Sequence, residues 1–169
     1  MINSTGANGQ NMSEALLAVD LGIRAGFALY GDDGRLRRYR SVNFGSVARL
    51  KRAIPGILED EGDAIRRLVV EGTRSLADVW ERHATKRGIT VTMIDAETWR
   101  KRLLFARQQR RAGQAKANAG VLAREVINWS DAQRPTSLRH DAAEAILIGL
   151  WGVLDCGWLG QLPAELKHS

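Results

Sequence analysis

The chain has 169 residues, which is enough for one domain of ordinary size with a sizeable core. Its 25 Lys and Arg residues exceed its 19 Asp and Glu residues, and the resulting net charge of +6 favours a polyanionic partner such as nucleic acid. The single cysteine, Cys156, excludes an internal disulfide and a cysteine-based zinc site and favours a reducing compartment. No apolar stretch approaches the ~20 residues of a membrane span, so we expect no membrane partner.

The first half of the chain is predicted to hold most of the strands. Residues 1–13 are polar and rich in Asn and Gly, without a signal segment, and are predicted to be a disordered leader. The apolar runs Leu16–Asp20 and Gly26–Tyr30 predict one strand or a kinked pair of strands. A turn at Gly31–Gly34, followed by a strand near Leu36–Val42, predicts a hairpin.

The remainder alternates helices with strands. The predicted elements, in chain order, are helix Val47–Leu58, strand Arg66–Glu71, helix Ser75–Lys86, strand Ile89–Ile94, and helices Ala96–Leu104, Gln114–Ile127 and Arg139–Leu154. Pro55 is expected to shorten or break the first helix, and Ser75 is expected to cap the second. This order of elements predicts an α/β fold with a mixed sheet flanked by helices.

Four acidic residues close or interrupt apolar runs. Asp20 and Glu71 each end a predicted strand, and Asp141 and Glu144 lie three apart on one face of the last helix. A carboxylate at the end of a buried strand is costly unless a cation compensates it, and carboxylate oxygens are ligands for hard cations. Each acid alone also fits a structural role, at a turn or near a helix dipole. The joint pattern predicts a site for two Mg²⁺ ions, with Mn²⁺ as a substitute.

A basic segment precedes the acidic helix. Between Glu97 and Glu125 lie eight bases: Arg100, Lys101, Arg102, Arg107, Arg110, Arg111, Lys116 and Arg124. Such a concentration of charge predicts phosphate binding beside the metal site, although a solvated helix face is the alternative interpretation. Lys116 is the best candidate for a direct role near a scissile phosphate.

Several short segments resemble the motifs of RuvC-type Holliday junction resolvases, and they follow one another in the same order. Val19–Ala28 carries their Asp-x-Gly and following Gly, and Val69–Glu71 resembles their second acidic strand. His140–Ala145 resembles their terminal Asp-Ala-Ala-Asp-Ala motif, with Glu in place of the second Asp. Gly113–Lys116 resembles the segment that carries their functional lysine. Two further segments are similar to the chloroplast branch of these resolvases, namely Thr98–Lys101 and Ala143–Leu147.

The resemblance implies an RNase H-like nuclease domain over residues 14–158, with a five-stranded mixed sheet, and a C-terminal tail over residues 159–169. It implies a homodimer that cuts two strands of branched DNA, a four-way junction, symmetrically in the presence of Mg²⁺. The catalytic residues would be Asp20, Glu71, Asp141, Glu144 and Lys116. Arg74 stands near the place where these resolvases usually carry an aromatic residue, and it joins the expected DNA contacts.

Three alternatives to a junction resolvase remain open at this point. The chain could be another RNase H-like nuclease, of the hybrid-cleaving or transposase type, or an inactive DNA-binding derivative. An ATP-binding fold of the sugar-kinase type also has a first strand ending in Asp-x-Gly, but this chain is short for two lobes. As a nuclease the protein is expected in the cytoplasm, associated with the nucleoid, or in the host-cell cytoplasm if a phage encodes it, and not to be secreted.

Overall fold

Five strands form one mixed sheet in the order β3-β2-β1-β4-β5. The computed structural model describes residues 13–61, 64–104 and 112–167, with the backbone alone for residues 112–116. The strands are β1 Ala15–Asp20, β2 Arg24–Gly31, β3 Leu36–Asn43, β4 Ile65–Glu71 and β5 Thr90–Ile94. Strands β1, β2 and β3 pair antiparallel, whereas β4 pairs parallel with both β1 and β5. The predicted α/β class and the mixed five-stranded sheet are confirmed.

Helices cover both faces of this sheet. They are α1 Val47–Asp60, α2 Arg74–Thr85, α3 Ala96–Leu103, α4 Ala112–Trp129 and α5 His140–Asp155, followed by a 3₁₀ turn at Ala164–Leu166. In β1 every second residue faces one core, because side chains alternate along a strand. Leu17 and Val19 pack towards α1 and α2, whereas Leu16 and Ala18 pack towards α4 and α5. None of the helices in the described ranges is long and apolar enough to cross a membrane.

The structure corrects three local predictions. Leu16–Asp20 and Gly26–Tyr30 are neither one strand nor a kinked pair, but two strands that fold back on each other. Helix α1 continues through Pro55 to Asp60, because Ile54 and Leu58 on its buried face anchor it on both sides of the proline. Helix α2 begins at Arg74, one residue before the predicted cap.

Helix α5 is the element that brings the last acids to the sheet. Thirteen of its 16 residues are buried, and it contacts β1, β2, β3 and β4. The hydroxyl of buried Tyr30 on β2 donates to the carbonyl of Ile146 at 2.6 Å, which ties the helix to the sheet below it. Beyond α5, Leu166 in the predicted C-terminal tail is buried against the same core.

Candidate metal centre

One row of paired residues crosses the sheet at the carboxyl ends of β1 and β4. Ser41 on β3 pairs with Gly26 on β2, Gly26 pairs with Asp20, and Asp20 pairs with Glu71 on β4. Residues that are directly opposite each other on neighbouring strands point to the same face of a sheet. Strand register therefore sets Asp20 and Glu71 side by side, on the face that α5 covers.

Gly26 allows the first turn of α5 to lie directly on this row. A Cβ atom at position 26 would overlap the backbone oxygen of Asp141, closer than any real contact. The close approach carries Glu144 over the two strand acids. Oxygens of Asp20, Glu71 and Glu144 all lie within 4.8 Å of one another, so these three carboxylates could hold one metal ion.

The three carboxylates repel one another in a partly buried site. Burial is the largest cause that raises the pKa of Asp20 to about 8, and the charges of Glu144, Glu71 and Asp141 raise it further. Burial also raises the pKa of Glu71, against the opposing effect of a hydrogen bond from Trp99. A divalent cation would remove this repulsion, and three carboxylate oxygens suit Mg²⁺ or Mn²⁺. The donor set therefore fits such an ion.

Three side chains contact the carboxylates of Glu71 and Glu144. The indole nitrogen of Trp99 on α3 donates to Glu71 Oε2 at 3.4 Å. The next residue, Arg100, packs over the Trp99 ring and lies 3.2 Å from Glu144 Oε1. His140 Nε2 approaches the same oxygen at 3.2 Å. Helix α3 thus contacts two of the three acids, Glu71 and Glu144, and orients their side chains.

Asp141 has a different environment from the other acids. It is 8% exposed, and its Oδ2 accepts a hydrogen bond from the hydroxyl of Ser41. Its carboxylate is not one of the group whose oxygens lie within 4.8 Å of one another, although its charge contributes to the raised pKa of Asp20. The structure therefore brings three of the four predicted acids together and holds the fourth on the β3 side of them.

The predicted DNA contacts are more dispersed. Arg100 lies at the metal centre, whereas Lys101 pairs with Glu97 at 2.7 Å on the exposed face of α3. Arg102 lies 3.9 Å from Asp155, and exposed Arg74 lies 2.9 Å from Asp78 on α2. The backbone of Lys116 is on α4, and its side chain lies outside the described residues, as do three other predicted contacts: Arg107, Arg110 and Arg111.

Sequence reasoning missed the role of two residues at this centre. Ser41 lies in the middle of an ordinary strand pattern, and only its register with Gly26 places it beside Asp141. Trp99 is fully buried in the core, but its indole nitrogen also reaches Glu71. The Asp95 N-cap, which starts α3 directly after β5, is the local signal that positions Trp99.

The sheet order, the acid-bearing strand ends and the helix across them define an RNase H-like α/β fold of the RuvC type. The Thermus thermophilus RuvC structure superposes with a TM-score of 0.57 at 14% identity, over 85% of this chain and 96% of that chain. The same protein in complex with a Holliday junction substrate superposes with a TM-score of 0.55 at 16% identity, with the same coverage. No family model matches this chain, and no curated protein matches it. The resemblance to RuvC is confirmed for the fold.

Replacing Gly26 with Ala should destabilise the protein by about 3 kcal/mol, because the new methyl group would push the first turn of α5 off the sheet. The melting temperature should fall by roughly 6–12 °C in calorimetry.

Gly56→Ala is the matched control for this substitution. Gly56 lies within α1 with nothing near its missing Cβ, so alanine there should stabilise by roughly 0.5–1 kcal/mol. A Gly26→Ala protein as stable as the wild type would contradict the close approach between β2 and α5.

Proposed function

We propose that the protein is a metal-dependent, structure-selective endonuclease that resolves four-way DNA junctions by paired, symmetric phosphodiester cleavage. The observation that carries this proposal is the convergence of Glu144 from α5 with Asp20 and Glu71 from the sheet, in a RuvC-type fold. A basic chain with an acidic centre fits a polyanionic substrate and a cationic cofactor.

The metal ligands in this proposal are Asp20, Glu71 and Glu144, with Asp141 completing the set from the Ser41 side. Two Mg²⁺ ions held there would supply an activated water and stabilise the departing oxygen of an in-line displacement. Trp99 and Arg100 keep Glu71 and Glu144 oriented towards Asp20, and Ser41 keeps Asp141 oriented over Gly26.

The phosphate contacts remain proposals that rest on charge and position. Lys116, on the helix that packs beside α5, is assigned to the scissile phosphate. The remaining proposed contacts bind the flanking backbone: Arg74, Arg100, Lys101, Arg102, Arg107, Arg110 and Arg111. A homodimer would present two such centres to the two strands of a junction, and sedimentation measurements would test for it. We propose that the enzyme acts on DNA in the cytoplasm.

The decisive experiment is a cleavage assay in Mg²⁺ with four labelled substrates of equal length. The substrates are a four-way junction, a flap, an RNA–DNA hybrid and a linear duplex. We expect paired nicks at symmetric positions in the junction and loss of cleavage when the metal is chelated. Cleavage of the hybrid alone, by a monomer, would instead identify another RNase H-like nuclease.

A further inference from the structure

Two neighbouring cavities lie beside β3, on its α4 side. The larger has a volume of about 300 Å³ and is lined by the end of α4 and the loop after it, including Arg124, Asn128 and Arg134. The second, of about 260 Å³, lies against Arg37 and Tyr39 on β3. Both are lined by Arg134 and Pro135, where they meet. We call the two cavities together the arginine groove.

The groove presents positive charge that the described part of the chain does not neutralise. None of the residues that line its two cavities is acidic. Two of the four arginines that line the groove are paired, Arg37 with Asp33 and Arg38 with Glu61. Arg124 and Arg134 are exposed, and neither forms an ion pair with an acid within the described ranges. Two uncompensated guanidinium groups facing one cavity favour a phosphate, which they can bind through paired hydrogen bonds.

The wall of the groove is held in place by hydrogen bonds to the sheet. The hydroxyl of Tyr39 donates to the carbonyl of Gln133 at 2.6 Å. The backbone N–H of Leu36 donates to Ser130 Oγ at 3.0 Å. Within the loop itself, the N–H of Ala132 donates to the carbonyl of Ile127 at the end of α4. A loop that is already fixed loses little conformational freedom when it binds a ligand.

The groove adjoins the metal centre. Tyr39 and Ser41 are two residues apart on β3 and point to the same face, so they are roughly 7 Å apart along the strand. Ser41 contacts Asp141 at the centre, whereas Tyr39 contacts the groove wall. The loop that carries Arg134 leads directly into α5, where Asp141 and Glu144 lie.

We infer that Arg124 and Arg134 bind the phosphodiester backbone of the DNA strand beside the site of cleavage. This inference rests on the proposed function and specifies where the substrate runs: from the acids, over β3, towards the end of α4. Backbone contacts of this kind position the duplex without reading its bases, so their contribution should be the same for junctions of different sequence.

The test uses the Asp20→Asn variant, which we expect to bind DNA without cutting it, and a fluorescent four-way junction. The junction affinity is measured by anisotropy over a range of salt concentrations, with and without Arg124→Ala and Arg134→Ala together. We expect the double substitution to raise Kd roughly tenfold near physiological salt. The slope of log Kd against log salt should fall by about 2, since each lost phosphate contact removes about 0.9.

The matched control is Arg49→Ala with Arg52→Ala, two exposed arginines of α1 on the opposite face of the sheet. This pair should leave both Kd and the salt slope unchanged. Arg124→Lys with Arg134→Lys should keep the salt slope, because the charges remain, but should lose part of the affinity, because an ammonium group cannot form the paired hydrogen bonds of a guanidinium. An equal loss of junction affinity in the Arg124/Arg134 variant and in the Arg49/Arg52 control would overturn the inference.

Further outcomes distinguish failure of this inference from failure of the proposed function. A parent protein that binds no junction at all would overturn the proposed function itself, whereas a parent that binds equally well without the two arginines would overturn only the groove. Binding of inorganic phosphate to the parent without DNA, lost in the double variant while the junction Kd stays unchanged, would assign the groove to free phosphate instead of DNA.

Discussion

Asp20→Asn should lower the rate of junction cleavage by about three orders of magnitude and leave junction binding nearly unchanged. An oxygen of Asp20 lies within 4.8 Å of oxygens of both Glu71 and Glu144, and the substitution would remove one of the three proposed ligands. A loss of about 4 kcal/mol in transition-state stabilisation corresponds to this factor. Single-turnover cleavage in Mg²⁺ and anisotropy binding in its absence would measure the two effects separately.

The same substitution should raise the stability of the metal-free protein at pH 8. Because the pKa of Asp20 is raised to about 8 from 3.8, the folded state keeps a proton that the unfolded chain has lost. The free energy of unfolding should therefore fall as the pH rises from about 4 to about 8. An asparagine side chain at this position does not titrate, so the variant should melt roughly 2–6 °C higher than wild type at pH 8 and show a weaker pH dependence.

Added metal should make the wild type melt at a higher temperature than Asp20→Asn. Mg²⁺ should bind the folded site alone and so stabilise the wild type, whereas Asp20→Asn should lose most of that increase in melting temperature. Asp60→Asn, at the exposed end of α1, is the control and should melt like the wild type both with and without Mg²⁺. Full cleavage by Asp20→Asn would exclude the assigned centre, and an unchanged metal response would exclude Asp20 as a ligand.

Asp141→Asn should also reduce cleavage strongly, by about two to three orders of magnitude, but with a different metal response. Three carboxylates, those of Asp20, Glu71 and Glu144, remain within 4.8 Å of one another without Asp141. Part of the Mg²⁺-induced rise in melting temperature should therefore survive, unlike in Asp20→Asn. Single-turnover rates and calorimetry on the same preparations would compare the two variants directly.

Ser41→Ala removes the hydrogen bond that positions Asp141 and leaves the carboxylate of Asp141 in place. The substitution removes the hydroxyl that donates to the buried carboxylate, so we expect a loss of about 1–3 kcal/mol in stability and a smaller loss of cleavage than in Asp141→Asn. Wild-type cleavage by Asp141→Asn would show that this residue serves only as the structural partner of Ser41, and the four-acid site would then be wrong.

The predictable part of the centre follows from local rules. Asp20 and Glu71 could be recognised because each ends an apolar strand, and the carboxyl ends of parallel strands meet at one edge of a sheet. Asp141 and Glu144 could be assigned to one helix face from their spacing. Their order along the chain also carried the resemblance to RuvC, and the fold bears it out.

The parts that were not predictable depend on contacts between distant residues. The fold-back of β1 on β2 depends on a turn at residues 21–23 that has no strong signal, so it was interpreted as one strand or a kinked pair. The continuation of α1 through Pro55 depends on packing against the sheet, which outweighs the local cost of proline. In both cases tertiary contacts override local preference.

The class of the fold and the excess of positive charge could be predicted from the chain alone, and the four acids could be selected as candidates, because strand alternation, helix spacing and charge are local properties. The chain alone could not predict how the acids divide, with Asp20, Glu71 and Glu144 in a close group and Asp141 bonded to Ser41. This division arises from strand register and from the contact of α5 with Gly26, each of which joins residues far apart in the chain. The arginine groove has the same origin, since β3, the end of α4 and the loop after it meet only in the folded protein.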